Sequence, residues 1–413
     1  MSTVFAPLRE STSGQRRTLL AAALGWALDA FDVMLYAMVL AYIMRDLGIS
    51  KGTAGLLNTL TLLASGIGGV LFGFIADRVG RTKALIASIL TYSICSFASG
   101  LAPTIYVLAA IRFVLGLGMG GEWNTGATLV AETWPTHLRA RAMSIVQSSW
   151  AIGYAAAALV AGIMLRYTGW RVVFFVGILP ALVTLWIRKD VPESEMWRKQ
   201  QESSQDSGGN RSLAELFSPE YLKSTIALLL LNLFGLFGWW GLFTWIPPYL
   251  SLPVEQGGRG FGIMSTTTLL VTLNLLGMFP GYLSFGLAAD LLGRRKAFVA
   301  YLVLAAAMVP IYAAARTQTS LLILGIAVAF FGTGFFSGSG LIGSEIFPTA
   351  LRARGLGFTY NGARALSSLA PFVIGRFGQT HGLSGAFLLC AGSFLLAALV
   401  ATQLPETRGK SLG

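Results

Sequence analysis

Apolar runs of about 20 residues recur along the whole chain, separated by short polar stretches. Twelve stand out, at 19–44, 54–76, 84–102, 105–130, 142–165, 170–188, 224–250, 264–289, 297–315, 319–343, 355–377 and 383–404. Each is long enough to cross about 30 Å of hydrocarbon. Backbone polar groups in lipid must be bonded within their own segment, so each run predicts a helix. The polar residues 1–18 lack the pattern of a signal peptide.

Composition agrees with a bilayer as solvent. Of 413 residues, 54% are hydrophobic and 12% charged, against roughly 25% charged in a soluble protein. Mean hydropathy is +0.68. A soluble cytosolic enzyme and a disordered tail are both excluded. There are 30 Lys and Arg against 18 Asp and Glu, a net charge of +12. In a soluble chain that would suggest nucleic acid. Here it reads as topology, because basic residues collect in cytoplasmic loops. With the N-terminus in the cytoplasm, 21 basic residues fall on that side and 7 outside. The remaining two, Arg112 and Arg364, lie within runs. We therefore expect a multi-pass protein of the cell (inner or plasma) membrane, with both termini cytoplasmic, a lipid-bilayer partner and no nucleic acid. Cys95 and Cys390 both sit in apolar runs, which suggests neither a disulfide nor a metal site. There is no nucleotide loop, metal constellation or nucleophile–base pair, and His137 and His381 are isolated, so neither an enzyme nor a cofactor is expected.

The chain also repeats itself. GFIADRVGRTK at 73–83 matches GLAADLLGRRK at 286–296, and ETWPTHLRAR at 132–141 matches EIFPTALRAR at 345–354. Pro192-Glu193-Ser194 matches Pro405-Glu406-Thr407. The step from Gly73 to Gly286 equals the steps from Glu132 to Glu345 and from Pro192 to Pro405. One shared offset indicates two copies, each with an even number of spans and hence the same topology. The division expected is an N-terminal six-helix bundle at 1–188, a polar cytoplasmic linker at 189–223 and a C-terminal six-helix bundle at 224–413.

The twelve spans, the paired G-x-x-x-D-x-x-G-R-x-K loops and the paired P-E-S/T ends resemble the major facilitator superfamily over nearly the whole chain. Finer features are Trp26-Ala-Leu-Asp29-Ala-Phe-Asp32, Gly120-Gly121-Glu122-Trp123, Trp239-Trp240-Gly241-Leu-Phe-Thr-Trp245 and Tyr360-Asn361-Gly362-Ala363-Arg364. They are similar to the sialate/carboxylate:proton symporters, a group that includes lactate and pyruvate permeases. Aromatic-acid:proton symporters share parts of the pattern. The resemblance implies an all-α fold of two pseudo-symmetric six-helix bundles, alternating access around a central site, and a monomer.

Ionisable residues inside spans are expensive and mark function. Here they are Asp29, Asp32, Arg112, Glu122 and Arg364. Simple helix-to-helix charge pairing is the competing reading for each. Asp29 and Asp32 are three residues apart, roughly 60° around a helix, and share one side of it. Two carboxylates that share a site hold a proton more readily than one alone, which suits proton coupling. Arg112-Phe-Val-Leu-Gly116-Leu-Gly118 looks like the superfamily's R-x-x-x-G-x-G motif. By resemblance Arg112 lies beside an acid of the first span, Asp32 first and Asp29 second. Protonation would release the pair and permit a conformational change. Glu122, about 15 Å further along the helix, is a second proton site or a gate-side partner. Gly116, Gly118, Gly120 and Gly121 would let helices approach closely.

Arg364 has no acid nearby in its span, and its counterpart in the first copy is Ala151. A guanidinium with Asn361 on the same face suits a carboxylate, to which it donates two parallel hydrogen bonds. Further candidates for the substrate cavity are Asn58, Gln147 and Asn274, with Trp150, Trp239 and Trp240 as walls. The alternative pairs Arg364 with an acid of another span.

For the loops, the resemblance implies a cytoplasmic gate. Its members would be Gly73, Asp77, Arg78, Arg81, Glu132, Arg139 and Arg141 in one copy, and Asp290, Arg294, Glu345, Arg352 and Arg354 in the other. The expected function is proton-coupled symport of an organic carboxylate. Substrate/proton antiport and a non-transporting nutrient sensor remain as alternatives.

Overall fold

The computed structural model describes residues 11–194 and 213–408. All regular elements among them are helices. The first half contains α1 (Ser13–Leu47), α2 (Lys51–Val79), α3 (Arg81–Ser99), α4 (Ile105–Thr133), α5 (Thr136–Met164), α6 (Trp170–Phe175) and α7 (Pro180–Asp190). The second contains α8 (Leu222–Ser251), α9 (Ile263–Thr272), α10 (Phe279–Leu292), α11 (Arg294–Ala314), α12 (Gln318–Ile346), α13 (Thr349–Ser367) and α14 (Ala370–Ala401).

Local chemistry sets the ends. Thr12 and Gln15 form a reciprocal capping box at the start of α1. Gly48 closes that helix in the left-handed conformation, at φ 61°. Thr104 and Thr317 cap α4 and α12 through their hydroxyls.

Three expected spans are interrupted, each beside a proline, which lacks the N–H that an intact helix needs. The sixth breaks into α6, a 3-10 turn over Val176–Ile178, and α7 starting at Pro180. The eighth passes through a π-helical stretch at Leu273–Met278, just before Pro280. The eleventh is interrupted after Ser367 and resumes at Ala370-Pro371. Among the described residues, eleven helical stretches qualify by length and apolarity as spans. The last is 47 residues long, Gly355–Ala401, and Gly382 within it is non-helical at φ 69°. Dividing it there recovers twelve. Large apolar side chains such as Phe74 (65% exposed), Leu185 (67%) and Leu291 (75%) face outward. Water would penalise that surface and lipid does not.

The chain forms two compact units, Met1–Gly48 with Leu60–Ser207, and Ile49–Thr59 with Gly208–Gly413. In the first, α1 packs on α5 and α4, and α3 on α4 and α7. In the second, α8 packs on α13 and α14, and α11 on α12 and α14. The first turns of α2 belong to the second unit, where a Cβ at Gly55 would run into the Pro371 backbone.

Small residues permit the closest approaches. A Cβ at Gly116 would strike the Thr61 carbonyl, and one at Gly120 the Ser65 carbonyl. The expected close packing of the α4 glycines is therefore observed, Gly116, Gly120 and Gly121 against α2 and Gly118 against α3. We predict that Gly120→Leu destabilises the detergent-solubilised protein by about 1–3 kcal/mol or more. Gly392→Ala, inside α14 where the added methyl meets nothing within 4 Å, should not lower the thermal midpoint, since Ala is the better helix former. A scanning thermal-unfolding assay of both variants checks this.

Candidate functional site

In the first unit, the acids of α1 lie inside the bundle. Asp29 and Asp32 are both 0% exposed. Asp32 Oδ1 accepts a hydrogen bond from Ser96 Oγ of α3 at 3.0 Å. Arg112 of α4 is also 0% exposed. The direct Arg112–Asp32 ion pair implied by the resemblance is not formed in this structure. Arg112 Nε donates instead to Thr61 Oγ1 at 3.2 Å. Its guanidinium lies over the Tyr36 ring, 4.5 Å from the centroid. A hydroxyl and an aromatic face thus hold the cation, while Ser96 holds the anion. The two charges still interact at longer range.

Glu122 of α4 is 1% exposed. A Cβ at Gly25 would collide with Glu122 Oε1, so Gly25 is what admits this carboxylate against α1. Among the described residues, the spans of this bundle therefore bury the carboxylates of Asp29, Asp32 and Glu122 beside the Arg112 guanidinium, while Arg81 is buried at the start of α3. Beside them Trp26 touches Trp123 and Trp150, with ring centroids 4.4 and 4.7 Å apart. Gln147 is buried on α5, one helical turn before Trp150.

The second unit is chemically different. Arg364 of α13 is 3% exposed. Its guanidinium has no ion pair or hydrogen bond to the described residues; Ser367 Oγ and Ser368 N bond only its backbone carbonyl. Tyr360, one turn earlier, is within electrostatic reach, and Asn361 is half-buried on the Arg364 face. Asn274 lies in the π-helical stretch, a geometry frequent at functional sites. Its Nδ2 donates to the Leu270 carbonyl at 2.9 Å, and its buried Oδ1 has no partner among the described residues. Asn58 Nδ2 donates to Thr244 Oγ1 at 3.0 Å. Trp239 packs against Trp240, Phe243 and Phe336.

The repeated loops form matching networks, one inside each unit. Arg81 pairs with Glu132 at 3.2 Å, and Arg294 with Glu345 at 3.1 Å. Arg81 N donates to Glu193 Oε1 and Arg294 N to Glu406 Oε1, both at 2.9 Å. Thr82 N and Arg295 N complete the same grip. Each Glu is thus a remote cap on a helix N-terminus, where negative charge is favoured. Gly80 (φ 110°) and Gly293 (φ 95°) adopt the positive φ that turns the chain into those helices. Asp290 adds a contact to Arg294 at 2.7 Å. Arg78 is exposed, and a Cβ at Gly73 would meet open space. The side chains of Asp77, Arg139, Arg141, Arg352 and Arg354 lie outside the described residues.

Sequence reasoning missed several partners. Glu193 and Glu406 were visible as repeat markers but not as caps. Thr61 carried a usable signal, since its counterpart in the second copy is Asn274, so that the position is polar in both. Ser96 belongs to no repeated motif. Trp26 and Trp123 correspond to Trp239 and Phe336, and both aromatic pairs are in contact.

Residues 22–269 and 258–412 match the Major Facilitator Superfamily. The chain belongs to that family. It is 34% identical over 403 residues to the sialic acid transporter NanX of Escherichia coli, covering 95% of each chain. It is 32% identical over 416 residues to a protein of Cupriavidus pinatubonensis named "Probable 4-methylmuconolactone transporter", covering 98% of this chain and 94% of that one. Among solved structures, a D-xylose-proton symporter superposes with a TM-score of 0.76 at 19% identity, covering 96% of this chain and 99% of that one. That likeness shows the fold. This superfamily member is a multi-pass membrane transport protein, in line with the resemblance read from its motifs, and not an enzyme.

Partial burial of Glu406 acts against its charge, but the backbone N–H groups of Arg294, Arg408 and Arg295 outweigh it and hold the carboxyl below its ordinary value. A carboxyl lowered on folding stabilises above its unfolded pKa, about 4.3, and loses that contribution as pH falls through the folded value. Glu406→Gln should therefore cost about 0.5–1 kcal/mol at pH 7, scaled down for its exposure. The difference from wild type should shrink below about pH 4. Thermal unfolding against pH checks both.

Proposed function

We propose that this transporter carries an organic carboxylate anion together with protons. The first unit takes up the proton and the second binds the anion. Arg364 carries the argument for the anion. It is a buried guanidinium to which the described residues offer no acceptor, and the uncompensated cost of a buried charge is large. A planar fork of donors matches a carboxylate in two parallel hydrogen bonds. Asn361 offers an amide donor beside Arg364, and the unsatisfied Asn274 oxygen can accept from an O–H or N–H elsewhere on the substrate. The names of the relatives, which specify sialic acid and 4-methylmuconolactone, support a small organic acid.

For coupling, the carboxylates of Asp29, Asp32 and Glu122 are all held out of water in the unit that also buries Arg112, and burial favours the protonated form of a carboxylate. Asp32 and Asp29 are the loading sites. Arg112 senses their charge, and with Asp32 ionised it is drawn away from Thr61 and Tyr36 towards the carboxylate. Protonation removes that pull and frees the helices to rearrange. The paired Arg–Glu–Glu networks form the cytoplasmic gate, with both termini on that side.

The test is uptake of labelled lactate, pyruvate, sialic acid and benzoate into proteoliposomes under an imposed pH gradient. Wild type should concentrate at least one of these acids. Asp32→Asn should abolish uphill uptake while sparing exchange; full gradient-driven uptake by this variant would remove Asp32 from coupling. Arg364→Lys should weaken apparent affinity about tenfold, near 1.4 kcal/mol. An unchanged affinity would remove Arg364 from the site.

A further inference from the structure

The acids of the first unit do not lie in isolation along the bundle. Ser88, Tyr92 and Ser96 recur every fourth residue on α3, and all three are 0% exposed. They form one continuous face. At one end Ser96 holds Asp32. At the other Ser88 Oγ donates to the Gly118 carbonyl of α4 at 2.7 Å. Tyr92 lies between them. On α1 the matching descent runs Asp32, Asp29, Gly25, and Gly25 is the position against which Glu122 packs. Along α1 the column thus steps from Asp32 past Asp29 to Gly25, where Glu122 of α4 packs, with Tyr92 of α3 alongside.

The environment of Tyr92 is divided. Its ring belongs to an apolar cluster with Ala21, Leu85, Ile89, Leu115, Leu129 and Ile187. Its hydroxyl is buried and donates to no acceptor among the described residues. Glu122, Asp29 and Asp32 all lie within electrostatic reach of that hydroxyl. Such a group costs stability unless another state of the protein uses it. Its counterpart in the second copy is Ala305, so the scaffold shared by the two copies does not require a tyrosine here. The titratable groups facing this column are Asp29, Asp32 and Tyr36 on α1, Cys95 on α3, and Arg112 and Glu122 on α4. From α7 the neighbours are apolar, namely Val183, Trp186 and Ile187.

We propose that Tyr92 is the positioning residue that relays protons between the Asp29/Asp32 pair and Glu122, with Glu122 the inner release site. The inference rests on the proton-coupled reading above. The phenolic O–H donates its proton to ionised Glu122 and accepts one from the protonated aspartate. The net result is one proton moved from the aspartate to Glu122, and the tyrosine is unchanged. Loading and release are then separate sites, so a proton taken up beside Arg112 leaves by another group.

The experiment compares gradient-driven uptake with counterflow of the same labelled acid, which needs no net proton movement, in wild type, Tyr92→Phe, Glu122→Gln and the double variant. Tyr92→Phe keeps the ring in its apolar cluster and removes only the hydroxyl. The ratio of uphill uptake to counterflow should fall about 10-fold or more in Tyr92→Phe. Glu122→Gln should match it, and the double variant should be no worse than either. The pH profile of uptake should shift in all three. A Tyr92→Phe protein with the wild-type ratio and pH profile overturns the relay. So does equal loss of uptake and counterflow, which marks a structural role. If wild type itself shows no gradient-driven uptake, the coupling reading fails and the relay fails with it. If wild type is coupled and only the Tyr92→Phe result is unchanged, coupling stands and the relay alone is wrong.

Discussion

A charge buried in a bilayer must be neutralised, paired or given a ligand, and the organisation of this protein follows from that requirement. Within its spans the first unit encloses Asp29, Asp32, Glu122 and Arg112, and the second encloses Arg364, whose guanidinium has no ion pair or hydrogen bond among the described residues. Most of the remaining buried side chains are apolar, and the buried polar ones are mainly neutral hydroxyls and amides. The helices, their close glycine contacts and their caps serve to hold these few charges at fixed positions in low dielectric. There a proton or a carboxylate ligand changes the energy by far more than it would in water.

Scaffold and chemistry divide along the repeat. Contacts that shape the bundles occur twice: Trp26–Trp123 with Trp239–Phe336, Gly121 against Phe72 with Gly334 against Phe285, and Arg81–Glu132 with Arg294–Glu345. The ionisable groups within the spans occur once. At the offset that aligns the two copies, Asp29, Asp32, Arg112 and Glu122 face Leu242, Trp245, Gly325 and Phe335, and Arg364 faces Ala151. Duplication supplied the frame, and the proposed function rests on departures from it. Glu193 and Glu406 show the frame's logic most clearly. Each reaches from the end of its own bundle to cap a helix that begins far earlier in the chain, and so ties the last span of the bundle to the third.

Much of the fold was legible because its strongest signal, a run of apolar residues of membrane length, has one physical meaning. The breaks were less so. Pro180, Pro280 and Pro371 are visible in the sequence, but whether a proline bends a span, shifts it to a π-turn or divides it depends on neighbouring helices. The buried charges were legible as residues and not as partners. Arg112 was expected on Asp32, and a threonine and a tyrosine from two other turns hold it instead. Single hydrogen bonds such as Ser96 to Asp32 leave no periodic trace, because a serine in a helix is equally content bonding its own backbone.

The most direct test of the account is proton flux itself. Proteoliposomes in weakly buffered medium, given a transported carboxylate with no imposed gradient, should alkalinise the outside as the acid enters, and Asp32→Asn proteoliposomes should not. Entry of labelled acid into wild-type proteoliposomes with no accompanying pH change would contradict the central claim that the buried acids of the first unit carry protons with the substrate.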